Sequence, residues 1–498
     1  MAPFKKSLML LAVLSLFSAG CATITSRQTF PSATRPSECL EFYENLDKKV
    51  NAAGVRNAAH FAVPGFPYLR ATRFLSALGP RLKTEGEKDL WVRWMQDLDL
   101  QGRKAEIRNL PEEAVRTLSG KKGGGETREE LFSRLVSCSD TLRDHDQTRK
   151  DFFSLIESRI HIPDEYSTFL RVIGIHPITA IPVAVATENT RVRFKKWFEG
   201  DIAGIPVTGT LKTYAPRSGA VLNPGQIARI FADSRNHPLK IPRPDDADLE
   251  KLARAFAPVI IQDAAQPFDE IGRVVWKSDQ IEVLSEQPAV YYYFSYALLN
   301  GKPIFQIYYV GWYGARGGKN PPWYERGWLD GLTVRFSLDF QGKLFMVDIM
   351  NNCGCYHFFA PDRARVNQVL APSGATPPFV PQDLPKLGTG ERLGLRVNSG
   401  WHQVQRLLPV RETEAASAYD LLPYEVLESQ PRENGPGKSI FDSKGIIPGT
   451  GRSERLFLFP MGIPSVGSMR QRGHQAIDFI GRSHFDDPDL FERNFVLK

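Results

Sequence analysis

Cysteine is scarce, and the patterns that usually organise it are missing. The 498-residue chain has five cysteines and nine histidines. None falls into an HExxH or paired CxxC motif, so the common zinc-protease and zinc-ribbon frameworks are absent. No GxxxxGK[ST] occurs either. Gly123-Gly124-Gly125 follows Lys121-Lys122 but lacks the rest of a phosphate loop. Charge of one sign is never concentrated: net charge is +7, with bases and acids interspersed as in RVRFKKWFEGD. The basic stripe that nucleic-acid binding requires is therefore lacking, and no nucleic-acid partner is expected. No internal repeat is present. The most apolar run beyond the N-terminus, TFLRVIGIHPITAIPVAVAT (168–187), is interrupted by Arg171, His176, Pro177 and Pro182, which argues against a membrane span. A buried connector is the simpler expectation there, a segment resting on a membrane the other. What remains is an ordinary globular composition, 42% hydrophobic and 24% charged, long enough for two or three domains.

The N-terminus carries a targeting signal. Met1 to Lys6 is a short basic region without acids, and Ser7 to Phe17 (SLMLLAVLSLF) is apolar. That run falls short of the roughly 20 residues of a membrane-spanning helix. Small residues follow, Ser18-Ala19-Gly20, and then Cys21. This is the layout of a secretory signal peptide. The Ser-Ala-Gly-Cys ending resembles the lipobox of bacterial lipoproteins, with Ser18 where that family usually has Leu. The resemblance covers only these first residues. It implies diacylation of the Cys21 thiol, cleavage before it and acylation (palmitate) of the new amine. Because Ala22 rather than Asp follows, it also implies the outer membrane, facing the periplasm. A protein so anchored has the membrane as a partner through its lipids. The alternative is ordinary cleavage near Ala22, giving a soluble periplasmic protein.

Export changes how the other cysteines are read. In an oxidising compartment four remain, Cys39, Cys138, Cys353 and Cys355, with three possible pairings. Cys39 with Cys138 is the natural long-range disulfide.

The chain divides as signal peptide 1–20, tether 21–37, helical domain 38–160, connecting segment 161–240 with short strands and a helix, and β-rich domain 241–498. The class is α+β: a helical N-terminal domain followed by a mainly antiparallel C-terminal domain with short helices. Leu40, Tyr43, Leu46 and Val50 recur at helical spacing, FPYLRATRFLSAL and EKDLWVRWMQDLDLQG follow suit, and Thr127 with Glu130 forms a capping box. The clearest strands pair 289–299 with 303–313 through Asn300-Gly301, and 328–340 with 343–350. In the second pair Leu332, Val334, Phe336 and Leu338 share one face and Thr333, Arg335 and Ser337 the other, which predicts one wet side. Helices are expected over 363–370 and twice near the C-terminus, and a strand at 456–460.

The candidate site is Asn351-Asn352-Cys353-Gly354-Cys355-Tyr356-His357. In a strand, Cys353, Cys355 and His357 share a face, but side chains two apart are separated by about 6.6–7 Å, too far for two thiolates each about 2.3 Å from one zinc. Gly354 permits the bend that would bring them together. Three readings stay open: a metal site, zinc by its donors, with His474, His484 or His402 completing it; a small-ring disulfide or redox pair; or a structural turn. The loop from Gly314 to Asp330 adds Glu325 and Asp330 as candidate general acids or bases, with Arg316, Lys319, Trp323 and Tyr324 as pocket residues. The function classes are accordingly an envelope lipoprotein of binding or assembly type with a protein or envelope-polymer partner, a metal-dependent envelope hydrolase, and a periplasmic thiol-redox protein.

Overall fold

The computed structural model describes residues 35–118, 125–217, 222–372 and 374–498. The leader, Cys21, most of the tether, and Lys121 to Gly124 lie outside the described residues. Helix α1 (Pro36–Ala53) buries Cys39, Phe42, Tyr43, Leu46 and Val50. Leu40 is exposed, because Cys39 and Phe42 take the inward face instead. The stretch FPYLRATRFLSAL is only half helical. Strand β1 (Phe61–Val63) turns at Pro64-Gly65 into β2 (Phe66–Ala71), and helix α2 (Arg73–Leu78) begins after Thr72, which caps it. The Pro-Gly turn there outweighs the helical spacing. Helices α3 (Glu85–Asn109), α4 (Glu112–Leu118), α5 (Arg128–Asp146) and α6 (Phe152–Arg159) follow, with α5 opened by the Thr127/Glu130 capping box. Cys39 on α1 and Cys138 on α5 are disulfide-bonded across 99 residues, with Cα atoms 5.1 Å apart. Closing a loop of that size stabilises by about 4–5 kcal/mol on the chain-entropy account.

The next stretch departs most from expectation. Residues 168–187 are not a buried connector. They form α7 (Thr168–Ile173) and the first half of α8 (His176–Glu199), with Phe169, Val172, Ile173, Ile178, Ile181 and Val185 in solvent. The run is apolar around the whole helix, and one neighbour can cover only one side. Short strands expected from Arg191 to Pro216 reduce to β3 (Thr210–Pro216), which is followed by α9 (Pro224–Asp233) and α10 (Asp246–Phe256).

The remaining strands are β4 (Val259–Ala264), β5 (Arg273–Lys277), β6 (Gln280–Leu284), β7 (Ala289–Leu299), β8 (Lys302–Arg316), β9 (Gly327–Leu338), β10 (Leu344–Asn351), β11 (Phe358–Pro361), β12 (Val366–Val369), β13 (Glu391–Val397), β14 (Val404–Arg411) and β15 (Ser417–Pro423). Three short helices, α11 (Glu425–Glu428), α12 (Arg455–Leu458) and α13 (Leu490–Asn494), and β16 (Phe495–Leu497) complete the chain. Ten strands make one mixed sheet in the order β11-β10-β9-β8-β7-β15-β3-β4-β13-β14. Pairings β7–β15, β15–β3 and β4–β13 are parallel and the rest antiparallel. The fold is thus mixed α+β, with β3, from the stretch before residue 241, inside the sheet.

Asn300 and Gly301 both adopt positive φ in the two-residue turn that sets the β7–β8 register, Tyr293 opposite Tyr308. One sheet face packs Phe305, Ile307 and Val334 against Phe198, Phe231 and Leu252 from α8, α9 and α10. The other face packs Tyr308, Val310 and Trp312 against the C-terminal loops through Tyr424, Ile447, Met469 and Phe485. The expected wet side is therefore dry: Thr333, Arg335 and Ser337 are buried. Arg335 is neutralised there by Asp348, donates to the Phe485 carbonyl and lies over the Phe485 ring, 4.0 Å from its centroid. The expected helix at 363–370 contains β12, paired with β16. The expected strand at 456–460 spans α12 and a 3-10 turn, and of two C-terminal helices only α13 forms. These departures lie where partners are remote in sequence.

Candidate functional site: a thiol pair in an apolar cleft

Strands β10 and β11 are joined by a tight loop that carries the CGC sequence. Gly354 adopts φ +93°, its N–H bonds the Asn351 carbonyl at 2.8 Å, and the Asn351 N–H bonds the Cys355 carbonyl at 3.0 Å. A Cβ at residue 354 would lie 2.3 Å from the Ala476 carbonyl oxygen, so glycine serves both backbone angle and clearance. The bend sets both thiols on one cavity wall. The neighbouring Cys355 thiol, opposed by burial but helped by Arg316 and Arg452, holds the Cys353 thiol below its ordinary pKa. Cys353 in turn, with burial, pushes Cys355 up. One sulfur is thus disposed to be the thiolate and the other the proton carrier.

Both thiols face a cavity of about 560 Å³. Its walls are Val183, Thr187 and Phe194 of α8, Trp323 and Tyr324 of the loop before β9, and Phe457, Ile463 and Phe479 from the C-terminal segment. Glu325, Glu454, Tyr356 and His357 supply its polar groups. A second cavity, of about 650 Å³, is lined by Trp276, Trp328 and Lys438 but by no cysteine or histidine.

Behind the thiols lies a buried ion network. Arg316 bonds Asp330 through Nε (2.9 Å) and Nη2 (3.0 Å), and Glu325 through Nη1 (3.0 Å). Arg452 adds a bond to Asp330 (3.1 Å). Burial opposes the Asp330 charge, but Arg316, Arg452 and His402 hold its carboxyl well below the usual range. Asp330 therefore serves the network and is not among the cavity's lining residues. Glu325 does line the cavity, bonded also to Tyr356 (2.5 Å) and the Trp401 indole (2.8 Å). Glu454 is pushed up to about 8, chiefly by burial and then by Glu325 and Cys353. Among the described residues its Oε1 has no hydrogen-bond partner.

Of the candidate histidines only His357 lines the cavity, and each has a carboxylate partner of its own. His357 Nε2 lies 2.8 Å from Asp348, which also holds Arg335. His402 sits between Asp330 (2.8 Å) and Asp269 (3.2 Å), stacked on Tyr313. His474 contacts Glu165 and the Ala58 carbonyl, both at 2.8 Å. His484 Nδ1 lies 3.2 Å from Asp487. Cys353, Cys355, His357, His474 and His484 thus do not form one ligand set, and among the described residues no group of three or more His, Cys, Asp or Glu is arranged to hold a metal ion. Each imidazole already has a nearer carboxylate. Arg470, Arg472 and Arg482 are likewise paired, with Glu165, Glu428 and Asp164.

Sequence reasoning named Cys353, Cys355, His357, Trp323, Tyr324 and Glu325, all of which line the cavity. It missed Arg452, Glu454, Phe457 and the α8 wall. Arg452 and Glu454 stand in a Gly/Ser-rich stretch, GTGRSERLF, that reads as surface. Two opposite charges at i, i+2 so close to LFLFP were the available signal. No protein-family model, curated protein or solved structure matches the chain.

Proposed function

We propose that this is a cell-envelope thiol protein that takes an apolar ligand or protein segment into the α8 cleft and exchanges disulfides with it through Cys353 and Cys355. One observation carries the reading: the bend at Gly354 sets two free thiols on the wall of one apolar cavity, one lowered and the other raised in pKa. The envelope address is supported by the leader and by Cys21, whose lipidation is part of the proposal.

The chemistry balances as a two-electron exchange. The Cys353 thiolate attacks one sulfur of a bound disulfide, the S–S bond breaks, and the departing sulfur leaves as a thiolate that takes up a proton. Cys355 then loses its proton and attacks the Cys353 sulfur. The second substrate sulfur is released, and the Cys353–Cys355 disulfide remains. The substrate is reduced to two thiols while the protein dithiol is oxidised, and an exported dithiol reductant would reset it.

Alkylation by iodoacetamide, followed by peptide mass spectrometry across pH, tests this. Cys353 reacts first, with a midpoint below the roughly 8.5 of a free thiol, and Cys355→Ala raises that midpoint. If neither thiol reacts before global unfolding, the exchange reading fails and a binding cleft with inert sulfurs stands in its place.

A further inference from the structure

An apolar surface surrounds the mouth of the cleft, independent of the thiol chemistry. Phe169 (70% exposed), Ile178 (65%), Ile181 (64%), Leu456 (67%) and Trp323 (63%) lie on α7, α8, α12 and the loop before β9. These segments are contiguous. Gly174, at the α7–α8 corner, is packed so closely on Pro460 that an added Cβ would lie 2.5 Å from it, and Arg171 ties α7 to the Met461 carbonyl at 2.9 Å. The Phe457 ring in turn meets those of Trp323 and Tyr324, with centroids 6.2 and 6.0 Å away. Patches of this kind on a soluble surface mark interaction sites.

We infer that this face rests on an anionic lipid surface, with the α7–α8 corner and the α12 turn immersed to the depth of the headgroups. Charge selects this occupant. From Tyr166 to Thr187 there is no Asp or Glu; on the rest of α8 the exposed bases Arg193, Lys195 and Lys196 outnumber the exposed acids Glu188 and Glu199, Lys195 lying 3.3 Å from Glu199, and Arg326 and Arg455 beside Trp323 and Leu456 are exposed. An apolar centre with a basic border is how interfacial helices hold anionic bilayers. A second copy fits less well: a two-fold contact would bring one basic border against another around the apolar centre. The surface is not a span, since no described helix is long and apolar enough to cross a membrane. Trp323 stands at the edge, where indoles favour the headgroup level. The same α8 turns that expose Ile181 and Val185 line the cavity with Val183 and Thr187. A lipid surface on this face therefore lies at the cavity mouth, and an apolar group can pass inward without crossing water.

The test uses the full chain carrying Cys21→Ser, so that no lipid anchor forms, and hydrogen exchange read peptide by peptide. Vesicles of phosphatidylcholine with phosphatidylglycerol should slow exchange several-fold over 169–185 and 455–459 and leave α3 and α5 unchanged. The effect should weaken on pure phosphatidylcholine and in high salt. It should vanish in Ile178→Asn/Ile181→Asn/Val185→Asn, whose exposed positions leave the thermal midpoint near that of the parent. Attachment to vesicles through the N-terminus alone, with exchange over 169–185 unaltered, overturns the inference. So does protection of 169–185 that rises with protein concentration in lipid-free solution together with a doubled mass, which would assign the face to a second copy. Cys353 alkylation, measured in lipid-free solution on the same variant, reports the thiol site separately.

Discussion

Arg316 and Asp330 meet side by side in the interior, Nε to Oδ2 at 2.9 Å and Nη2 to Oδ1 at 3.0 Å, with the arginine side chain 1% and the aspartate 0% exposed. A bidentate pair at this depth is neutral as a unit, and breaking it leaves a buried charge. Because Arg316 also bonds Glu325 and lowers the Cys353 pKa, the pair links the stability of the sheet to the state of the thiol.

Arg316→Met should therefore act twice. Loss of the guanidinium strands Asp330 and Glu325 and lowers stability by about 3–5 kcal/mol, read as a fall in the urea midpoint with an unchanged slope. In the fraction that remains folded, the pH midpoint of Cys353 alkylation rises. A variant as stable as the parent would show that Arg452 alone compensates Asp330.

Glu454 gives a pH signature. Its folded pKa is raised from 4.5 to about 8. Below 4.5 the carboxyl is protonated whether the chain is folded or not, so the advantage of the neutral buried form is complete. Between 4.5 and 8 the unfolded chain releases a proton that the folded chain keeps, and stability falls as pH rises. Above about 8 the dependence levels off. The change is on the order of a few kcal/mol at about 1.4 kcal/mol per pH unit. Glu454→Gln should remove this slope in a comparison of urea midpoints at pH 5, 6.5 and 8. Parallel curves for parent and variant would refute the assignment.

Gly354→Ala should spoil the thiol pair without touching the N-terminal helices. An alanine at φ +93° is strained, and its Cβ would sit 2.3 Å from the Ala476 oxygen. A cost of about 1–3 kcal/mol is expected, together with a shift of Cys353 alkylation toward ordinary thiol behaviour as the influence of Cys355 on it is lost. The Cys39–Cys138 peptide should remain disulfide-linked in non-reducing digests. Unchanged Cys353 reactivity would show that the bend is not what joins the thiols.

Local features were legible wherever the interaction is local. The Asn300-Gly301 turn, the Thr127/Glu130 cap and the bend at Gly354 each depend on a few adjacent residues, and each stands in the structure as read. Cys39 with Cys138 was the natural long-range pair among the three pairings four cysteines allow, and the structure joins them. Periodicity failed where both faces of an element have partners or neither does. Arg335 alternates as a solvent-facing residue should, yet Asp348 and Phe485 bury it. The 168–187 run looks like core, yet it is wound into a helix with more apolar sides than its neighbours cover.

By itself, then, the sequence determined the mixed class, the two hairpin pairings and the residue types at the thiol loop, since each follows from propensity, patterning or backbone stereochemistry over short distances. Only the tertiary structure decided that His474 and His484 belong to Glu165 and Asp487, that Arg452 and Glu454 stand behind Cys353, and that α8 walls the cleft. Those outcomes depend on which surfaces compete for the same neighbour across hundreds of residues. A buried charge or imidazole takes the nearest satisfying partner in space, and sequence separation carries no measure of that distance.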